Sequence, residues 1–324
     1  NSLCLFRFWE CKNRSRLHCN QKKYFPFINR LFANSLTTPP LRLTNFAYTM
    51  AILVYNPAYF QNKTVVVTGG SDGIGRAMVE ELLKAGAQVA TCSRNGDKLY
   101  QLQVQNPGSK LFTMVADVSN ETDCRNFINA VIRNFSTVDI LVNNAGISMR
   151  AEFHEASLDT IRKVMDINFW GVVYCTKYAL PYIQQQKGDI IGVSSIAGYR
   201  GLPGRSGYSA SKWALQGWME ALRTELLESG VNVMWVCPGF TSSNIRNAAL
   251  NKDAKAQGES PMDEKAMMTS EECAVHILNA IAKRKRTLVM TFQGKQTVFM
   301  NKFFPALADK LVRKFFYKDN VLVK

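Results

Sequence analysis

The chain is poor in the residues from which several kinds of site are built. It has three histidines in 324 residues, and none of its eight cysteines forms a CxxC pair. A His/Cys metal cluster and a dithiol redox motif are therefore not expected. Cys4, Cys11, Cys19, Cys92, Cys124, Cys175, Cys237 and Cys273 are scattered, and no secretory signal precedes them, which reads as buried thiols in a reducing compartment. His154 and His276 stand far from every motif described below and read as surface or packing residues. No run of 18 or more apolar residues occurs, so no membrane-spanning helix is expected. Acids are also scarce: 25 Asp and Glu face 40 Lys and Arg, for a net charge of +15.

That surplus does not imply nucleic-acid binding. Residues 1–49 hold eight Lys/Arg against Glu10 alone, leaving +8 for the rest of the chain. No basic stripe interleaved with aromatics runs through the body, and no nucleic-acid motif appears. Hydrophobic residues make up 47% and charged residues 20%, the balance of a globular chain.

Residues 1–49 have no steady apolar period, whereas Met50 opens "MAILVYNPAYFQNKTVVVTGG", an ordinary lead into a first strand. The favoured reading takes 1–49 as non-native upstream sequence with Met50 the natural start; the rival is a basic organelle-targeting leader.

From residue 64 to 291 short apolar runs alternate with helical patterns. Strands are expected at 64–68, 88–93, 111–116, 138–144, 189–195, 231–237 and 286–291. Helices are expected at 76–87, 96–105, 120–135, 157–187 with a bend near Gly171, 208–229 and about 270–283, with Asn120 or Ser119 capping the third. The strands are apolar throughout rather than alternating, as when both faces of a parallel sheet are covered. The expected fold is a single doubly wound α/β domain of Rossmann type, about seven parallel strands with helices on both faces.

The first strand runs into "TGGSDGIG" (68–75) and then directly into a helix. Gly69 suits a tight turn, and Gly73 and Gly75 allow close approach of backbone and ligand at a helix N-terminus that can receive a pyrophosphate. The spacing is Gly-x-x-x-Gly-x-Gly rather than Gly-x-Gly-x-x-Gly. The second strand ends in Ser93-Arg94, without an acid to accept from a ribose 2′-hydroxyl. Arg94 can fork onto a 2′-phosphate, which favours NADP(H) over NAD(H).

"RSGYSASKWAL" (205–215) places Tyr208 and Lys212 four apart on one helical face, with Ser195 of "VSSIAG" 13 positions upstream. With "NNAG" (143–146) and "PGF" (238–240), these motifs occur in the order and at the intervals of the short-chain dehydrogenase/reductase family, which the chain resembles over roughly 62–291. It is most similar to the branch of carbonyl and hydroxysteroid reductases that includes the dehydrogenase/reductase member 7 group. The resemblance implies that Gly69, Ser71, Gly73, Ile74 and Gly75 surround the cofactor phosphates. Asp117 and Val118 would meet the adenine, and Asn144, Ala145 and Gly146 would lie along the cofactor. Pro238, Gly239 and Thr241 would close over the nicotinamide end. It also implies four reaction residues: Ser195 orients the carbonyl, Tyr208 is the acid/base and cofactor neighbour, Lys212 lowers its pKa, and Asn168 of "DINFWG" completes a proton relay.

The chemistry is coherent with that assignment. Reducing a carbonyl needs a hydride on carbon and a proton on oxygen, and a tyrosine with pKa near 10 is a poor base unless a nearby ammonium stabilises its anion. The 13-residue interval selects Ser195 over its neighbour Ser194. The competing reading is a catalytically silent NADP-binding sensor or scaffold.

Residues 240–268 read as a substrate lid, long enough for a bulky lipid-like, steroid-like or retinoid-like carbonyl. The resemblance implies a homodimer or homotetramer, with Trp170, Trp213 and Trp218 packing on the helices that pair. Residues 294–324 alternate aromatics with Lys and Arg at near-helical spacing. That basic amphipathic extension either packs on its own domain or touches an anionic membrane, with Pro305 as a possible interruption. The expected location is cytoplasmic, or peripheral on the cytoplasmic face of a membrane.

Overall fold

The structure, a computed structural model, describes residues 55–260 and 267–323. The reading of residues 1–49 falls outside them.

Seven strands form one parallel sheet: β1 (Thr64–Thr68), β2 (Gln88–Ser93), β3 (Leu111–Val115), β4 (Ile140–Asn143), β5 (Asp189–Val193), β6 (Asn232–Cys237) and β7 (Thr287–Val289). Their order across the sheet is β3-β2-β1-β4-β5-β6-β7, so the winding reverses between β1 and β4. Alternation along each strand divides the core in two. Val66, Leu141 and Ile190 face α3 (Glu121–Phe135), α5 (Gly171–Gln185) and α6 (Ser206–Glu225). Val65, Val67, Val142 and Ile191 face α1 (Gly73–Lys84), α2 (Gly96–Gln105) and α7 (Ser270–Ala282). All five β1 residues are buried, and burying each valine side chain contributes about 1.5–3 kcal/mol. This two-sided burial holds for β1, β4 and β5, the middle of the sheet, while β3 and β7 at its edges are half-buried.

Helix starts follow local chemistry. Asn95 and Asn120 cap α2 and α3 through their side-chain oxygens, and Thr269 with Glu272 forms a capping box on α7. The long helical region is not simply bent. α4 (Leu158–Met165) passes through a π turn at Asp166–Trp170 into α5, with the Gly171 N–H donating to the Asp166 carbonyl five residues back.

Beyond β7 the chain forms α8 (Phe292–Phe303), α9 (Pro305–Phe316) and a small hairpin of β8 (Tyr317–Lys318) and β9 (Val321–Leu322). Pro305 does interrupt the amphipathic run, and it does so by opening the second helix at a position that needs no N–H donor.

Candidate active site

The crevice at the carboxyl ends of β1 and β4 is where a doubly wound sheet receives its ligand. Thr68, the last residue of β1, pins it open. Its Oγ1 accepts from the N–H groups of Asn144 and Ala145, each at 3.0 Å. Asn144 Nδ2 donates back to the Thr68 carbonyl at 2.9 Å. The glycine turn lies against this junction. A Cβ on Gly75 would meet the Gly69 carbonyl oxygen at 2.3 Å and Asn144 Nδ2 at 2.4 Å, so this glycine serves packing of the turn on β4 before it serves any ligand.

A cavity of about 410 Å³ opens from here, and Gly69, Gly73, Ile74 and Gly75 line it. The first turn of α1, capped by Asp72, faces it with main-chain N–H groups. Arg94, Asp117 and Val118 line one end; Asn144, Ala145 and Gly146 follow; Ser195, Tyr208, Lys212, Pro238, Gly239 and Thr241 line the other. A pyrophosphate flanked by two nucleoside halves fits this order of donors. The Arg94 side chain is 62% exposed and lies 4.0 Å from Asp117, free to turn onto a further phosphate.

Ser71 lies deeper in the turn. It is buried and its hydroxyl donates to Ser93 Oγ at 2.7 Å, so it ties the turn to β2 instead of lining the cavity.

β5 delivers Ser195 and α6 delivers Tyr208 and Lys212. Ser195 caps a short 3₁₀ turn, accepting from Ala197 N–H at 3.1 Å, and its hydroxyl is bonded to the Tyr208 phenol. Ser194 Oγ instead accepts from Gln216 Nε2 at 2.8 Å, so Ser195 is the hydroxyl of the pair that meets Tyr208. Burial raises the Tyr208 pKa above 10, while the Ser195 hydrogen bond and the Arg205 charge pull it back. Lys212 is buried and donates to the Val193 carbonyl at 2.8 Å; burial lowers its pKa to about 8. Arg205, which the sequence reading passed over, is a further cation whose charge acts on the Tyr208 phenol, beside Lys212 on the next turn of α6.

Asn168 is fully buried and does not line the cavity. Its Oδ1 accepts from Ile147 N–H at 2.8 Å, and its Nδ2 donates to the Ile147 carbonyl at 2.9 Å and to Ser211 Oγ at 3.0 Å. A Cβ on Gly146 would come within 3.1 Å of Asn168 Oδ1 and 3.5 Å of Lys212 Nζ; its absence lets these two groups share one strand end. Asn168 is therefore a positioning residue, clamping the segment that lies along the cavity.

The wall opposite β5 was not foreseen. Phe315 and Phe316, from the end of α9, line the cavity. Phe315 stacks on Phe240 with ring centres 6.4 Å apart, and the Arg205 guanidinium lies 5.2 Å from the Phe316 ring. Arg150 and Arg246 also line this end. The sequence signal for Phe315 and Phe316 was the aromatic period of the tail; its partner across the cavity could not be read from it.

Residues 63–254 match the family described as short chain dehydrogenase. The chain is 32% identical over 262 residues to mouse "Dehydrogenase/reductase SDR family member 7B", spanning 78% of this chain and 81% of that one. It is 33% identical over 281 residues to "11-beta-hydroxysteroid dehydrogenase-like 6" of Arabidopsis thaliana, spanning 76% and 81%. Its fold is that of a short chain dehydrogenase/reductase from Burkholderia phymatum solved in complex with NAD: TM-score 0.69, 22% identity, 77% of this chain and 96% of that one.

Proposed function

Because the chain belongs to the short-chain dehydrogenase/reductase family of oxidoreductases, we propose that it is an NADP(H)-dependent enzyme interconverting a bulky lipid-like, steroid-like or retinoid-like ketone and its secondary alcohol. The observation that carries this reading is the convergence of Ser195, Tyr208 and Lys212 in the cavity that begins at the glycine turn. NADP(H) would supply or accept the hydride. Gly69, Gly73, Ile74 and Gly75 would hold its phosphates, and Arg94 its 2′-phosphate. Ser195 holds the substrate oxygen beside Tyr208, which gives it a proton in reduction and takes one in oxidation. Lys212, held by Val193, supplies positive charge beside the phenolate as that proton leaves. Asn168 keeps Ile147 and Gly146 in place.

The test uses the full chain with NADPH and NADH against a panel of ketones, quinones, steroids and retinal, with Tyr208→Phe alongside. Turnover with NADPH that collapses in the variant is expected. Tight cofactor binding without turnover on any carbonyl would move the reading to a sensor.

Two assembly readings accompany this function. Trp170, the last residue of the π turn, and Trp213, on α6, are 44% and 52% exposed, which supports a homo-oligomer pairing there; sedimentation as a monomer would end that reading. Phe299, Phe303, Phe304, Leu307 and Leu311 are exposed on α8 and α9 among exposed Lys302, Lys310 and Lys314. An apolar face with a basic rim suits an anionic membrane, and a cytoplasmic or peripheral location accords with it. Failure to co-sediment with anionic vesicles at low salt would remove the membrane contact.

A further inference from the structure

We infer that Gln216 is a positioning residue of the reaction, holding the Ser195 main chain so that the Ser195 hydroxyl stays on the Tyr208 phenol. This rests on the reductase reading, which gives Ser195 and Tyr208 their roles.

Tyr208, Lys212 and Gln216 follow one another at four-residue steps along α6, so one helical face carries all three. Gln216 is buried at the far end of that row. Its Nε2 faces acceptors from two strand ends: Ser194 Oγ at 2.8 Å, the Ser195 carbonyl at 3.4 Å and Cys237 Sγ at 3.6 Å. The Ser194 hydroxyl is bonded in turn to the Cys237 thiol, which donates to the Ser195 carbonyl at 3.3 Å. The bonds close a ring from α6 to the end of β5, across to the end of β6 and back to Ser195. The chain leaves room for it: a Cβ on Gly198 would meet Gln216 Nε2 at 2.4 Å and the Lys212 carbonyl oxygen at 2.8 Å.

Ser195 is held at both its hydroxyl and its carbonyl. The hydroxyl accepts from Ala197 N–H and meets Tyr208. The carbonyl takes three donors, the Gly198 N–H at 3.0 Å, the Cys237 thiol and the Gln216 amide. The first belongs to the same short turn and moves with it. The other two come from β6 and α6, and the amide ties the turn to the helix that carries Tyr208. Burying an amide is costly unless its hydrogen bonds are made, and a methionine would fill the same space. What the amide adds is this ring of bonds. Cys237 also leads directly into Pro238 and Gly239 of the cavity wall, so the same amide sets that wall against Ser195.

The test uses the full chain, with NADPH and a bulky ketone for reduction and NADP⁺ with its alcohol for oxidation. Gln216→Met keeps the volume and removes the donors. Its kcat for reduction is expected to fall about 5- to 10-fold, the worth of a buried hydrogen bond, with the KM for NADPH unchanged. On a Ser195→Ala background the same substitution should leave the residual kcat as it is, because nothing remains to be positioned. Oxidation needs the phenolate, and the Ser195 hydrogen bond lowers the phenol pKa. The rising limb of kcat/KM for oxidation should therefore move to higher pH in Gln216→Met. Lys212, Arg205 and Cys237, whose charges act around the phenol, are unaltered in that variant. Gln216→Asn keeps the amide but draws it back by one methylene, and carries the test with the same expected fall where the methionine variant does not fold. An unchanged kcat in either folded variant overturns the inference and leaves the reductase reading intact. An equal loss on the Ser195→Ala background, or a lower thermal midpoint with the pH limb unmoved, makes Gln216 a packing residue and overturns it as well. A wild type that binds NADP⁺ and turns over no carbonyl sinks the reductase reading, and this inference with it.

Discussion

The Lys212 ammonium lies 5.7 Å from the centre of the Tyr208 ring, one helical turn along α6. The same apolar wrapping moves the two groups in opposite directions: the lysine pKa falls to about 8 while that of the phenol rises. Their proton affinities, nearly equal in water, are driven apart, so the neutral phenol persists to a pH at which the lysine has already begun to lose its charge.

A pH profile follows from those directions. Reduction needs a protonated Tyr208, and the raised phenol pKa supplies it throughout the neutral range. It also needs the Lys212 charge, which is lost as pH rises through about 8. The value of kcat/KM for reduction should be level from about pH 6 to about pH 7.5 and decline above about pH 8. A profile flat to about pH 9.5 would remove the lysine charge from the step.

Cofactor choice should turn on Arg94. Replacing it with Glu, Arg94→Glu, should lower kcat/KM for NADPH about 10- to 100-fold, the worth of hydrogen bonds to a charged phosphate, and spare NADH. An unchanged NADPH-to-NADH ratio would take Arg94 out of phosphate recognition.

Asn168→Ala should act through the backbone. It strips the partners of both Ile147 main-chain groups and of Ser211, and each buried group left unsatisfied costs about 1–3 kcal/mol. A lower denaturation midpoint with a reduced kcat is expected. A variant of unaltered stability and rate would show that the clamp is idle.

Much of this was legible because chemistry constrains spacing. Tyr208 and Lys212 had to be one helical turn apart to share a face, and Ser195 had to end the neighbouring strand. β1 was plain because a strand buried on both sides carries three consecutive valines between β-branched threonines. The bond of Ser71 to Ser93 was not legible, since a turn hides which of its residues point outward and which tie the turn down. Asn168 was found by its position, but its task depends on Ile147, 21 residues away in the chain. Arg205, Arg150 and Arg246 looked like general basicity, because nothing local shows that three distant cations share a cavity. Phe316 was visible as part of an amphipathic run whose buried side was undetermined.

That residue offers a sharper check on the substrate wall. Phe316→Ala should raise KM for bulky carbonyls and relax discrimination among them, with the KM for NADPH little altered. Steady-state assays across a size series would read this, and equal changes for small and large ketones would place Phe316 outside the substrate wall.

The wall built by Phe315 and Phe316 has a consequence for how the molecule is made and how it diverges. During synthesis every strand of the large sheet, to Val289, emerges before α9 does, so the nucleotide crevice can assemble while the opposite side stands open. Tyr317, whose hydroxyl donates to Glu152, and Leu322, packed against Gly204, then fasten the last-made segment across it. A chain interrupted after β7 would keep the glycine turn and the Ser195–Tyr208 end of the cavity and lack the Phe315–Phe316 wall. Changes confined to the tail can therefore reshape that wall across generations without disturbing the sheet beneath.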